Sequence, residues 1–169
     1  MQNKPYDKSV NIRLKLLFWS TALAIPLISF TGRHLQHWLE ASLTKEKTGW
    51  LVVFLLLITA LVYIVKFTKN WKSLWWRLLV ILIILITILE FIPISEERIH
   101  FILFGSLGYL GTMLFAPLKG LLFCFFFSVG DELFQWFLPD RVGDIRDVIF
   151  NFIASSIGII LALSERNAD

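Results

Sequence analysis

The sequence predicts an all-α fold, a polytopic transmembrane helical bundle of about six spans, or five if one candidate lies in the membrane interface. Three observations predict it. Hydrophobic residues make up 57% of the 169 residues, and mean hydropathy is +0.72. Only 17% are charged, where soluble domains run near ~25%. The apolar residues fall in runs of the ~17–20 residues that a helix needs to cross the hydrocarbon core. A soluble domain of this size lacks the interior to bury so much apolar surface. Sixteen Phe and seven Trp against nine Gly and five Pro exclude a disordered or collagen-like chain. Cys124 is the single cysteine, so no internal disulfide framework exists.

The first candidate span runs from Leu14 to Phe30 and contains Pro26. A cleaved signal peptide is the alternative, with Lys4, Lys8, Arg13 and Lys15 as its basic flank. The uncleaved span is preferred, because the run is long and ends in Ser29-Phe30-Thr31-Gly32, a poor cleavage site. The second span covers Gly49 to Val65. The third covers Leu74 to Ile92 and stops at Pro93. The fourth, Ile99 to Phe115, stops before Pro117, and the fifth, Leu118 to Leu138, stops at Pro139. Asp131, Glu132 and Gln135 make the fifth the least apolar. The sixth covers Ile145 to Leu163. Short connections leave no room for a second domain, so 1–169 reads as one membrane domain, with a core over about 75–163 preceded by helices at 14–31 and 49–66.

Lys and Arg set the orientation. With a cytoplasmic N-terminus, the inner side holds Lys4, Lys8, Arg13, Lys15, Lys66, Lys69, Lys72, Arg77, Lys119 and Arg166. The outer side holds Arg33, Lys45, Lys47, Arg98, Arg141 and Arg146. The net charge of +3 is therefore topological and gives no nucleic-acid signature. Trp71, Trp75 and Trp76 suit the inner aromatic belt, and Trp50 the outer one. His34, His37 and Glu40 have helical spacing in the first outer loop. A short amphipathic surface helix explains them better than a metal site.

The informative residues lie in two stretches. Ser95-Glu96-Glu97-Arg98-Ile99-His100-Phe101 opens the fourth span. Residues 130–155 close the fifth and begin the sixth. By parity the two stretches share a side of the membrane. Glu97 and His100 are three apart, Asp131 and Gln135 four apart, and Glu132 and Gln135 three apart. Asp147, Asn151 and Ser155 descend the sixth span at intervals of four. Residues so spaced share a helix face. Facing lipid, an Asp would cost ~2.5–3.5 kcal/mol. The stripes are therefore expected to face one another around a polar pocket in the outer half of the bilayer, with helix-to-helix hydrogen bonding as the plain alternative.

The linker has its own logic. Pro139 stops a helix and Gly143 permits a tight turn. Asp144 suits the N-cap of the sixth span, with Asp147 in the capping-box slot. Arg141 lacks such a structural role. A guanidinium there fits a phosphate or carboxylate, or an internal pair with Asp131, Glu132 or Asp147.

These two stretches resemble the VanZ-like family of small bacterial membrane proteins. The resemblance rests on Glu97-Arg98-Ile99-His100-Phe101, then Asp131-Glu132-Leu133-Phe134-Gln135-Trp136-Phe137, Pro139-Asp140-Arg141, Asp147-Val148-Ile149-Phe150-Asn151, and Gly158. It covers roughly residues 95–160, and the first 75 residues carry no motif. Arg98 stands where Lys is common. After Arg141 the chain has Val142-Gly143 where the family shows Ser or Thr and an aromatic, so no hydroxyl chemistry is expected there. The resemblance implies a bacterial envelope protein of the cytoplasmic membrane, linked to tolerance of the glycopeptide teicoplanin, and no defined reaction.

Three functions fit these residues. The first is an envelope protein with a ligand site built from Glu97, Arg98, His100, Asp131, Glu132, Gln135, Arg141, Asp144, Asp147 and Asn151. Its partners would be membrane lipids and a lipid-linked or glycopeptide ligand. The second is an intramembrane enzyme on a lipid-linked substrate, with His100, Glu132 and Asp147 as catalytic candidates by acid–base or metal chemistry. The third is a non-catalytic structural or transport component, for which a second copy of the chain is a candidate partner. No metal site, cofactor or nucleic-acid partner is assigned.

Overall fold

The computed structural model describes residues 8–44, 47, 49–51, 53–54, 57–58, 75, 79, 82–83, 86, 95–139 and 143–166. Among these the fold is all-helical, with no strand. Four helices have defined bounds: α1 Lys8–Ser42, α2 Ser95–Leu114, α3 Pro117–Trp136 and α4 Ile145–Arg166. Every described residue of the expected second and third spans is helical, and the rest of both spans lies outside the described residues.

The helix limits follow from the sequence. Pro117 occupies the first turn of α3, where its missing N–H breaks no bond. The turn before it is tight, with the Phe115 N–H donating to the Gly111 carbonyl at 2.8 Å. The α3 helix closes on Phe137 and Leu138, whose N–H groups donate to Phe134 and Gln135, and Pro139 follows the cap. The α1 helix differs from expectation. It continues past Phe30 as 35 residues in one helix, so the His34–Glu40 stretch belongs to it. The apolar run ends near residue 30, but helix hydrogen bonding does not depend on hydropathy and continues to Ser42. Pro26 is accommodated inside it.

The chain forms two compact units, residues 31–102 and residues 1–30 with 103–169. In the larger unit, α1 buries Phe18, Ala22, Ile25 and Ser29, one face at intervals of three and four. Phe18 meets Phe115 edge-on at 5.4 Å and Phe123 at 5.2 Å, and Phe123 stacks on Phe127 at 5.4 Å. Small residues set the crossing of α2 and α4. A Cβ on Gly158 would fall on the Gly105 carbonyl oxygen, and one on Gly108 would fall on the Ser155 carbonyl. Helices pack this closely only where side chains are absent.

Much of the exposed surface of the described residues is apolar. Leu16, Leu23, Leu27 and Phe30 of α1 are exposed, as are Ile149 and Ile160 of α4. Soluble monomers rarely show contiguous apolar surface on this scale. Two described helical segments are long and apolar enough to cross a membrane, Ile12–His34 and Ile145–Glu165. Helices α2 and α3 reach 20 residues each, but Glu96, Glu97 and Arg98 open α2, and α3 carries Lys119, Asp131 and Glu132.

Candidate functional site

The inward face of α3 carries Gly120, Cys124, Ser128, Asp131, Glu132 and Gln135, all buried. The last three form one hydrogen-bonded cluster in the larger unit. The Gln135 amide donates from Nε2 to Asp131 Oδ2 at 3.0 Å and to Glu132 Oε1 at 3.1 Å. One nitrogen thereby bridges two carboxylates that are 5% and 7% exposed. Spacings of three and four make this possible within a single helix.

Two further elements complete the cluster. From α1, Ser29 donates its hydroxyl to Asp131 Oδ1 at 2.7 Å, the short distance usual when a carboxylate accepts an O–H. From the start of α4, the Asp144 N–H donates to Glu132 Oε2 at 3.1 Å. Asp144 is the N-cap as expected. Its Oδ1 accepts the Arg146 N–H at 2.9 Å, and its carbonyl accepts the Val148 N–H at 3.4 Å. The capping box, however, is closed differently from the sequence expectation. The third residue of α4, Asp147, does not take the Asp144 N–H; Glu132 takes it from α3. A carboxylate beside the first turn also interacts favourably with the helix dipole. Asp147, half-buried, lies 3.5 Å from its neighbour Arg146.

Gly143 serves this contact. Its φ is not in the left-handed region, so backbone freedom is not its role. A Cβ there would stand 2.6 Å from the Glu132 carbonyl oxygen. The missing side chain lets the backbone at Gly143 lie directly on α3.

The structure thus brings Asp131, Glu132, Gln135 and the Asp144 backbone together. Asn151 is buried on α4 of the same unit. His100 is buried and Arg98 half-buried in the other unit. Partial burial lowers the Arg98 guanidinium from its ordinary value, which leaves it charged. The side chain of Glu97, and Arg141 entirely, lie outside the described residues. Among the described residues no three His, Cys, Asp or Glu side chains converge as metal ligands.

Sequence reasoning missed Ser29. The signal was available: Phe18, Ala22, Ile25 and Ser29 share a face, and Ser29 is its polar member. It also missed Ser128, four residues before Glu132 on the α3 face.

Apolar helices with apolar outer surfaces, enclosing a small buried set of carboxylates and amides, define a helical membrane protein with an internal polar cluster. The chain belongs to the VanZ/LLP1 family, whose model matches residues 6–165. The match reaches back through the first helix, well beyond the motifs of residues 95–160. No curated protein and no solved structure matches the chain.

Proposed function

We propose that the chain is a six-span protein of the bacterial inner membrane with a cytoplasmic N-terminus. It forms one membrane domain, with its core over about 75–163, and holds a polar ligand in the outer half of the bilayer. The ligand is an envelope lipid or a lipid-linked cell-wall precursor, and the outcome is tolerance of glycopeptides such as teicoplanin. One observation carries this reading: Asp131 and Glu132 are buried side by side on one helix, bridged by the Gln135 amide. Replacing buried charges with apolar residues is often neutral or stabilising. A bundle that only had to pack would gain nothing from a carboxylate pair. Ionisable residues within membrane helices mark sites. In this reading Gln135, Asp144, Asp147 and Asn151 of the larger unit belong to the site, and Glu97, Arg98, His100 and Arg141 are the further residues the sequence nominates.

A second reading has its own observation. Glu132 accepts the Asp144 N–H, so the cluster also fastens α4 to α3. Glu132→Gln separates the two, because a glutamine oxygen still accepts that N–H while the charge is gone. In a teicoplanin-sensitive host expressing the protein, Glu132→Gln and Arg141→Ala should each abolish tolerance while membrane insertion and the size-exclusion profile stay normal. Tolerance retained by both variants would overturn the ligand-site reading and leave the fastening role.

A further inference from the structure

The surfaces of three helices change character at one level, and that level is the polar cluster. On α1 the exposed apolar face includes Leu16, Leu23, Leu27 and Phe30, and the sequence turns polar directly after it, at Thr31-Gly32-Arg33-His34. Ser29, which donates to Asp131 at 2.7 Å, is the residue before Phe30. On α3 the exposed face includes Leu118, Leu122, Phe126 and Leu133 and ends in Trp136, with Phe137 capping the helix; the last two are 71% and 86% exposed. Glu132 lies one turn before Trp136. The first turn of α4 carries the exposed Arg146, whose guanidinium lies 5.9 Å over the Phe150 ring, and the exposed Ile149, Ile153 and Ile160 follow. Asp144, whose N–H donates to Glu132, stands just before that turn.

The same helices show where the opposite boundary falls. Lys119 is exposed in the first turn of α3, and Glu165 lies in the last turn of α4. At 1.5 Å per residue α3 rises about 26 Å from Lys119 to Trp136, and α4 about 28 Å from Arg146 to Glu165. A hydrocarbon core is ~30 Å thick, with headgroup layers of about 5–7 Å on either side. The two ends of the apolar surface therefore match the two edges of such a core. Tryptophan prefers an edge, because its ring is apolar and its indole N–H is polar. Arginine there keeps its stem on apolar surface and its head among the headgroups.

We propose that Trp136, Phe137, Ile145 and Arg146 form a collar seated in the phospholipid headgroup layer of one leaflet. Glu132 then lies only about 6 Å below Trp136, so the cluster stands at the inner edge of the headgroups and not at the bilayer centre. This rests on the membrane reading above and says where its site lies; the placement itself needs no ligand. A lipid reaching the site would present its headgroup while its chains stay in the hydrocarbon.

Nitroxide depth measurements on the full chain in vesicles of phosphatidylcholine and phosphatidylglycerol test this. The labels go on single cysteines introduced at exposed positions, Phe126→Cys, Leu133→Cys and Phe137→Cys, while the native Cys124 is buried. Power saturation with oxygen and with a water-soluble nickel chelate reports depth. The chelate should reach Phe137→Cys at headgroup level. The label at Leu133→Cys should lie about 6 Å deeper, and that at Phe126→Cys about 16 Å deeper, nearest the midplane. The α4 series Ile145→Cys, Ile149→Cys and Ile153→Cys should repeat this order, so the result does not hang on one variant. If Leu133→Cys is as deep as Phe126→Cys, or the chelate fails to reach Phe137→Cys, the proposal is overturned and the ligand-site reading keeps a site within the hydrocarbon. If the chelate reaches Phe126→Cys and Ile153→Cys as readily as Phe137→Cys, this proposal and the membrane reading both fail.

Discussion

The α2–α4 crossing and the polar end of α3 both hold helices together, and they do so by opposite means. At the crossing, Gly105, Gly108 and Gly158 remove side chains until backbone meets backbone. Side chains add the Ser155 hydroxyl beside the Phe104 carbonyl and, further along, the Tyr109 hydroxyl donating to Glu165, but at the glycines the contact rests on dispersion and close fit. At the end of α3, side chains do the joining. Ser29, Asp131, Glu132, Gln135 and the Asp144 N–H connect three helices through hydrogen bonds. The first contact tolerates no added atom. The second tolerates no lost partner. A close-packed contact has no chemistry to spare for a ligand, whereas a hydrogen-bonded one can exchange partners.

Substitutions break the two contacts in different ways. The largest effect is expected at the crossing. Gly158→Val puts a branched side chain onto the Gly105 carbonyl and should destabilise by about 3 kcal/mol or more. The check is loss of the monodisperse peak in detergent size exclusion. Next comes Glu132→Ala, which removes an acceptor from the Gln135 amide and from the Asp144 N–H. A cost of about 2–3 kcal/mol is expected, read as a melting temperature lower by roughly 6–10 °C. Equal melting temperatures for wild type and Glu132→Ala would show that the polar end adds nothing to the fold.

Smaller effects sharpen the contrast. Ser29→Ala deletes the hydroxyl that donates to Asp131 and should cost about 1–2 kcal/mol. Combining it with Gln135→Ala tests whether the cluster acts as a unit, since neighbours in one network are non-additive. The smallest change is Asp144→Ala. It removes the side-chain cap of α4 and should cost about 1 kcal/mol, while Asp144→Gly should cost only a few tenths. A cost for Gly equal to that for Ala would indicate that the cap bond is not what Asp144 contributes.

Much of this was legible in the sequence, for reasons that differ by residue. The limits of α3 and the start of α4 are readable because prolines and an N-cap aspartate mark them. Asp131, Glu132 and Gln135 stood out because they are polar in an apolar run and share one face by spacing. Hydropathy makes α1 too short, since it marks where a membrane ends and not where a helix ends. Ser29 and Ser128 were passed over because a hydroxyl in an apolar helix is ordinarily silent, satisfied by its own backbone. Only the tertiary contact of Ser29 and the absent back-bond of Ser128 distinguish them. The closure of α4's capping box by Glu132 was not legible either. Local rules place that acceptor three residues into the same helix, and here it comes from the preceding one.

The Ser29–Asp131 bond also concerns the order in which the protein is made. Its partners are 102 residues apart. At ~5–20 residues per second, synthesis delivers the serine about 5–20 s before the aspartate. The hydroxyl is the waiting partner and the carboxylate the late arrival. The acid of α3 thus emerges after a donor for it has already been made.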